Sequence, residues 1–215
     1  MEERDATVAP ARTKWATIAA SALATLLVAS ELTMAAFALP LIGRDLDVGT
    51  GATAWVLLAY QLPVAALALP AGRWLDRADS RLVFTLALLT LAAADVLAAL
   101  AAQFWMLLAA RVLQGFAAAV YLAVYLPVVS AAVRPDQRGR AMSYHSTLMM
   151  VGSVAVAPLG GWIADGYGWR AVFLSRVPLL VLAAALGWRT VPPAAPAPGG
   201  RRLPVPDRRL LADAA

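Results

Sequence analysis

The sequence predicts an all-α integral membrane protein in which six transmembrane helices form one bundle. Of its 215 residues, 61% are hydrophobic and 14% are charged, whereas an average soluble domain is about half apolar and about a quarter charged. Apolar runs of about 20 residues, the length that crosses a hydrocarbon core of about 30 Å, recur along the chain. Only helices and closed barrels satisfy their backbone groups in lipid, and these runs lack the alternating polarity of barrel strands. The sequence therefore favours helices.

Six apolar runs define the predicted spans, and four of them contain a single charged residue. Glu31 lies in the first span and Asp95 in the third, while Arg111 lies in the fourth and Arg176 in the sixth. The bundle, 15–190, is preceded by an N-terminal arm, 1–14, and followed by a Pro-, Gly- and Arg-rich linker or tail, 191–215. The predicted spans are Trp15–Ala38, Ala54–Ala71, Leu82–Ala102, Phe104–Ser130, Ala141–Ala164 and Ala171–Trp188.

The basic residues predict the orientation of the bundle, because they concentrate in alternate connections. The positive-inside rule assigns such connections to the cytoplasm. Both termini are therefore expected in the cytoplasm, which agrees with an even number of spans, and we expect a multi-pass protein of the cell membrane. The residues assigned to the cytoplasm are Arg4, Arg12, Lys14, Arg73, Arg77, Arg81, Arg134, Arg138, Arg140, Arg189, Arg201, Arg202, Arg208 and Arg209, against Arg44 and Arg170 outside.

Several classes of function are excluded by composition and by missing motifs. The net charge of +5 does not indicate nucleic acid binding, because the basic residues form short clusters between apolar runs rather than one face. The chain has no cysteine and one histidine, so thiolate chemistry is excluded and no metal site is expected. Neither G-x-S-x-G nor H-E-x-x-H occurs. We therefore expect neither an enzyme nor a cofactor.

An internal repeat favours a transporter. The pattern G-x-x-x-D-x-x-x-x-R-x-V-F occurs once from Gly72 and once from Gly161, each time between the end of one span and the start of the next. Because three spans separate the copies, they lie on opposite sides of the membrane. The pattern predicts a 3+3 inverted repeat, with units at about 15–102 and 104–188, and inverted repeats are typical of secondary transporters. Chance matching of Gly, Asp and Arg in connections is the alternative.

Five segments carry recognisable motifs, in order along the chain. They are Glu31-Leu32-Thr33 with Ala38-Leu39-Pro40, the connection Gly72-Arg73-Trp74-Leu75-Asp76-Arg77-Ala78-Asp79-Ser80-Arg81, Leu107–Gly115, Ala157-Pro158-Leu159-Gly160-Gly161-Trp162, and Trp169-Arg170-Ala171-Val172-Phe173 with Pro178. Together they resemble the N-terminal six-helix half of the major facilitator superfamily, in its fourteen-helix drug:proton antiporter branch. The chain departs from the usual motifs at Glu31, Asp79, Ser80, Ala157 and Arg176, where Asp, Gly, a basic residue, Gly and Asn are usual.

The resemblance implies a function and a set of partners. We expect the N-terminal half of a proton-coupled multidrug or small-molecule exporter, which uses the proton gradient and needs no cofactor. Its partners would be the lipid bilayer, a small amphipathic substrate, protons, and either a C-terminal half or a second copy of the chain. The alternative is a six-helix membrane protein without a transport cycle, such as a degenerate remnant or a modulatory subunit.

Glu31, Arg111 and Gln114 are the predicted coupling site. A charged side chain at the centre of a span costs roughly 2.5–3.5 kcal/mol on insertion scales, so Arg111 should face the bundle interior. Gln114 lies on the same helix face three residues later. Glu31 is the natural counter-charge and is expected to carry the exchangeable proton. A purely structural ion pair is the alternative.

Two further groups of residues have predicted roles. The resemblance implies a conformational-switch loop at Gly72, Asp76, Arg77 and Arg81. It also implies an antiporter-motif helix with Pro158, Gly160 and Gly161, which would be bent and closely packed, although ordinary helix packing is the alternative.

Three further polar residues are not assigned to the predicted coupling site. Asp95 is expected at the lipid interface or a cavity rim, and a proton carrier is the alternative. His145 is expected in a hydrogen-bonded packing role, with proton relay as the alternative. Arg176 is expected to extend its side chain to the membrane interface, and contact with an outer vestibule is the alternative.

Cysteines introduced at Ser80 or Gln137 should resist a membrane-impermeant thiol reagent in intact cells, because the arginine asymmetry places both positions in the cytoplasm. The chain has no natural cysteine, so labelling reports the introduced site alone. Labelling of the same variants in permeabilised cells is the positive control. Reaction in intact cells would contradict the orientation.

Overall fold

The computed structural model describes residues 13–67 and 78–192. Within these ranges the chain forms seven α-helices and one 3-10 turn, without a strand. The helices are α1 (Trp15–Asp45), α2 (Thr50–Leu67), α3 (Ser80–Ala99), α4 (Phe104–Ala132), α5 (Arg138–Tyr167), α6 (Trp169–Leu174) and α7 (Val177–Thr190), and the 3-10 turn is Pro135–Gln137.

Six segments of the described chain are long and apolar enough to cross a membrane, which confirms the predicted all-α protein with six such helices. The sixth segment, Trp169–Thr190, combines α6 and α7. The helices begin up to about one turn earlier than predicted, and α1 continues through Pro40 to Asp45 instead of ending at Ala38. The helix contacts are compatible with two three-helix units, and the inverted repeat stays a prediction.

The break between α6 and α7 has a local cause in the sequence. Pro178 lacks a backbone N–H, and its ring would clash with the carbonyl four residues earlier, at Leu174. Accordingly, α6 ends at Leu174, and α7 begins at Val177 with the proline in its first turn. Arg176 is therefore held at the N-terminal cap of α7, in the middle of a membrane-spanning segment.

α1 lies at the centre of the bundle. It packs against α2, α4, α5, α6 and α7, while α4 packs against α2 and α3, and α3 packs against α7. The buried apolar residues form two main clusters, which lie above and below one another along the helix axes. One cluster contains Val28, Leu88, Tyr121 and Leu180, and the other contains Met34, Ala98, Leu107 and Phe173. Between the two clusters, α1, α3, α4 and the α6–α7 break each carry at least one buried polar or charged side chain.

Close approach of α2 and α4 depends on Gly115. A methyl group at this position would collide with the backbone carbonyl of Tyr60 and lie 3.2 Å from the side chain of Pro63, both in α2. Backbone cannot yield as a flexible side chain can. The glycine therefore allows α2 to lie directly on α4.

Gly115→Ala is expected to destabilise the bundle by about 1–3 kcal/mol, because the added methyl group overpacks the α2–α4 contact. The measurement is thermal unfolding of the purified chain in detergent. Gly139→Ala is the matched control: Gly139 is also helical, and a methyl group there meets nothing within 4 Å. Equal unfolding temperatures for the two variants would contradict the predicted close contact.

Candidate functional site

Four charged side chains and one amide meet between the two apolar clusters. We call this group the ion cluster: Glu31, Asp95, Arg111, Gln114 and Arg176. α1 contributes Glu31, α3 contributes Asp95, α4 contributes Arg111 and Gln114, and the α6–α7 break contributes Arg176. The first four are fully buried and Arg176 is 2% exposed. The ion cluster therefore lies inside the bundle rather than on its surface.

Glu31 is shared between the two arginines. Its Oε1 accepts a hydrogen bond from Nη1 of Arg111, and its Oε2 accepts one from Nη1 of Arg176. Both carboxylate oxygens thus face a guanidinium group, one from α4 and the other from the α6–α7 break. Charge-assisted contacts of this type are stronger than neutral hydrogen bonds.

Arg111 is fixed by neighbours on α2 and α4. Its Nε donates to the backbone carbonyl of Val56 in α2 at 2.9 Å, and its Nη1 donates to Oε1 of Gln114 at 2.8 Å. The guanidinium carbon lies 4.8 Å from the ring centroid of Tyr60, also in α2, within the range of a cation–π contact. These contacts orient Arg111 towards Glu31.

Asp95 and Arg176 complete the ion cluster. Nη1 of Arg176 lies 3.3 Å from Oδ1 of Asp95, and its Nη2 donates to the carbonyl of Leu27 at 2.9 Å. Gln114 donates from Nε2 to the same Oδ1 of Asp95 at 2.5 Å. The amide of Gln114 therefore connects Arg111 to Asp95, and the five side chains form one continuous network.

Two carboxylates and two guanidiniums make the ion cluster neutral when all four groups are ionised. Charges without water are tolerated only when they are paired and hydrogen-bonded, because desolvation costs several kcal/mol per ion. Three atoms in the network have no hydrogen-bond partner in the part of the chain that the structure describes. They are Oδ2 of Asp95, Nη2 of Arg111 and Nε of Arg176.

The structure brings together the three residues of the predicted coupling site, Glu31, Arg111 and Gln114. Their role in proton coupling stays a prediction. The expectations for Asp95 and Arg176 were wrong, because both side chains are buried in the ion cluster. The sequence contains a signal for this pairing. Asp95 and Arg176 are opposite charges in two apolar spans, and each needs a partner away from lipid.

The predicted switch loop is only partly described, since Gly72, Asp76 and Arg77 lie outside the described residues. The guanidinium carbon of Arg81 lies 4.0 Å from the ring centroid of Trp188, which joins the start of α3 to the end of α7. A role in conformational switching stays a prediction.

Pro158, Gly160 and Gly161 lie within α5. A methyl group at Gly160 would lie 3.4–3.6 Å from Phe37 and Met34, so this glycine faces α1. Pro158 is exposed. Their antiporter role stays a prediction, while Gly160 contributes to packing inside this bundle.

His145 has a hydrogen-bonded environment, as expected for a packing role. Its Nε2 lies 2.8 Å from the hydroxyl oxygen of Tyr125 in α4, and the two rings pack in a tilted arrangement with their centroids 5.3 Å apart. Among the described residues, no group of three or more His, Asp or Glu side chains could hold a metal ion.

Arg176→Gln should destabilise the bundle by about 3–5 kcal/mol, because it leaves two buried acids with one buried base. The double variant Asp95→Asn/Arg176→Gln restores neutrality, so we expect it to unfold at a higher temperature than Arg176→Gln alone. Arg134→Gln is the control, since it breaks an exposed pair with Asp136 and should cost at most about 1 kcal/mol. Additive effects of the two substitutions would contradict the coupling of Asp95 to Arg176.

Comparisons with known proteins agree with this architecture. The chain is 30% identical over 176 residues to the multidrug resistance protein B homolog of Mycobacterium tuberculosis (strain CDC 1551 / Oshkosh), covering 80% of this chain and 33% of that protein. It is 33% identical over 183 residues to the multidrug efflux pump LfrA of Mycolicibacterium smegmatis, covering 83% of this chain and 36% of LfrA. The chain thus spans about a third of the length of these curated relatives.

A solved structure supports the fold. The chain resembles a bacterial homolog of the human lysosomal transporter Spinster, solved in an inward-facing, unoccupied conformation, with a TM-score of 0.67 and 22% identity. The alignment covers 87% of this chain and 45% of that one. The sequence profile of the Major Facilitator Superfamily matches residues 21–211. This membrane-spanning chain therefore belongs to the Major Facilitator Superfamily.

Proposed function

We propose that this chain is the N-terminal six-helix bundle of a proton-coupled multidrug-type exporter in the plasma membrane, with both termini in the cytoplasm. The observation that carries the proposal is the buried contact of Glu31 with both Arg111 and Arg176. It places ionisable groups from the first, fourth and sixth spans at one level inside the bundle. The similarity to multidrug efflux proteins supports the same proposal.

The ion cluster is suited to coupling because a proton that binds to one of its carboxylates removes a negative charge on which the guanidiniums depend. Ionised, the ion cluster is neutral and joins α1, α3, α4 and the α6–α7 break. One added proton gives it a net charge of +1 in a buried site, where an uncompensated charge is costly. The arrangement of helices that lets a guanidinium reach water or another anion is then favoured. Proton binding can shift a conformational equilibrium in this way.

A small amphipathic molecule is the substrate class that these surroundings favour. Apolar side chains flank the ion cluster on both sides. Much of the face of α2 and α5 is also apolar and exposed in this single bundle, including Trp55, Leu62, Met150 and Val154. Alternating access needs a site between two bundles, so we propose that a C-terminal half or a second copy supplies the opposite wall.

Glu31→Gln is expected to abolish proton-driven efflux, because it removes the acid that both arginines share. The assay replaces the aligned part of LfrA with this chain and expresses the chimera in an efflux-deficient strain. Export of a fluorescent cationic dye is measured with an imposed proton gradient and after an uncoupler. The unsubstituted chimera should export dye only while the gradient persists.

Two variants control this assay. Glu31→Asp keeps a carboxylate in the same helix and should retain measurable export. Asp136→Asn makes the same kind of charge change in an exposed pair and should leave export unchanged. Undiminished export by a Glu31→Gln chimera present in the membrane at normal levels would remove Glu31 from the mechanism, and the ion cluster would then be structural.

A further inference from the structure

We propose that Asp95, and not Glu31, is the carboxyl group that binds and releases the coupling proton. The inference rests on the proposed function and refines it, because it identifies the proton-binding atom within the ion cluster. It replaces the expectation that Glu31 carries the proton. Three observations carry it: the occupancy of the four carboxylate oxygens, the hydrogen-bond pattern around Gln114, and the distribution of charge among the helices.

Glu31 has no oxygen without a hydrogen-bond donor in this arrangement. Each of its two oxygens accepts from a different guanidinium, Oε1 from Arg111 and Oε2 from Arg176. A proton on Glu31 would neutralise the carboxylate that both guanidiniums share. Two buried guanidiniums would then lose their closest negative charge, which is an expensive arrangement in a protein interior.

Asp95 has such an oxygen. Its Oδ1 accepts from Gln114 at 2.5 Å and from Arg176 at 3.3 Å, while its Oδ2 has no hydrogen-bond partner among the protein atoms of the described residues. The side chain is fully buried. A buried carboxylate oxygen without a donor gains most from a covalent proton, because the neutral acid removes the cost of the unsolvated lone pairs.

Gln114 is a positioning residue for Asp95. Its Oε1 accepts from Arg111, so its only remaining group, the Nε2 amide, faces Oδ1 of Asp95. An amide has one acceptor end and one donor end, and the guanidinium therefore fixes which end Asp95 meets. A neutral donor bound to Oδ1 leaves Oδ2 as the oxygen where the proton is placed.

Titratable groups from four parts of the bundle lie around Asp95. Arg111 extends from α4, Arg176 from the α6–α7 break and Glu31 from α1, while Tyr60 from α2 is a further titratable side chain near the ion cluster. Of the two carboxylates, Glu31 has the tighter arginine contacts. Asp95 has a single arginine contact at 3.3 Å.

Binding of the proton to Asp95 changes one covalent bond and the charge of the ion cluster. A proton from water forms one O–H bond at Oδ2 of Asp95, no other covalent bond changes, and the ion cluster passes from neutral to a net charge of +1. Arg176 then keeps only Glu31 and the carbonyl of Leu27 as strong partners. Because Arg176 caps α7 at the break in the sixth span, the change in charge acts at the point where that span is already interrupted. Release of the proton reverses the step.

Infrared difference spectroscopy can test this assignment on the whole chain. The chain is made by cell-free synthesis with aspartate carrying ¹³C at the side-chain carboxyl carbon, reconstituted in lipid nanodiscs, and acidified from alkaline to mildly acidic pH. We expect a carbonyl band of a buried, protonated carboxylic acid that shifts with the aspartate label. A band that ignores this label and shifts with labelled glutamate would overturn the inference in favour of Glu31.

Variants assign the band to one residue. Asp95→Asn should remove it, whereas Asp165→Asn, the same change at an exposed aspartate, should leave it in place. If Asp95→Asn does not fold, Asp95→Glu answers the question, because the band should then lose its response to labelled aspartate and gain a response to labelled glutamate. A band that persists unchanged in a folded Asp95 variant, or the absence of any such band, would overturn the inference.

Transport measurements separate the inference from the proposed function. An aspartate-labelled band together with a chimera that never exports dye would leave Asp95 as the protonated group and refute the exporter proposal. Gradient-driven export together with a glutamate-labelled band would support the exporter and refute the role of Asp95.

Discussion

The rest of the structure depends on the placement of one buried carboxylate between two guanidiniums. Glu31 lies on the central helix and contacts Arg111 and Arg176, which belong to different parts of the chain. Any one of these charges alone would be expensive inside an apolar bundle, so each requires the others. The ion cluster therefore fixes the depth and rotation of α1, α3, α4 and the α6–α7 break relative to one another. Apolar contacts, which are not directional, could not select one arrangement so strictly.

The backbone is shaped to allow these contacts. Gly115 lets α2 approach α4, which brings the Val56 carbonyl within reach of Nε of Arg111. Pro178 interrupts the sixth span and leaves Arg176 at a helix cap, where its side chain reaches Glu31 and the carbonyl of Leu27. A glycine and a proline, neither of them charged, thus set the geometry of the ion cluster.

The sequence predicted the fold well and the site in part, for physical reasons. Apolar runs report span number directly, because the bilayer imposes their length. Charged residues in the middle of a span, such as Glu31 and Arg111, predict an ion pair inside the bundle. The sequence does not report depth and rotation, however, so Asp95 was placed at a rim and Arg176 at the interface. Their pairing depends on the break at Pro178 and on how α3 packs against α6 and α7, which only three-dimensional contacts define.

α5 is held by a different kind of interaction. It contributes no side chain to the ion cluster among the described residues, and it meets α1 through glycines, with Gly152 against Leu26 and Gly160 against Met34. Such van der Waals contacts are individually weak and can be replaced by others as a helix slides. A displacement of α5 would break none of the ion pairs of the cluster, whereas a displacement of α1 would strain both ion pairs of Glu31. The bundle therefore combines a rigid charged centre with one helix whose position the charges do not fix.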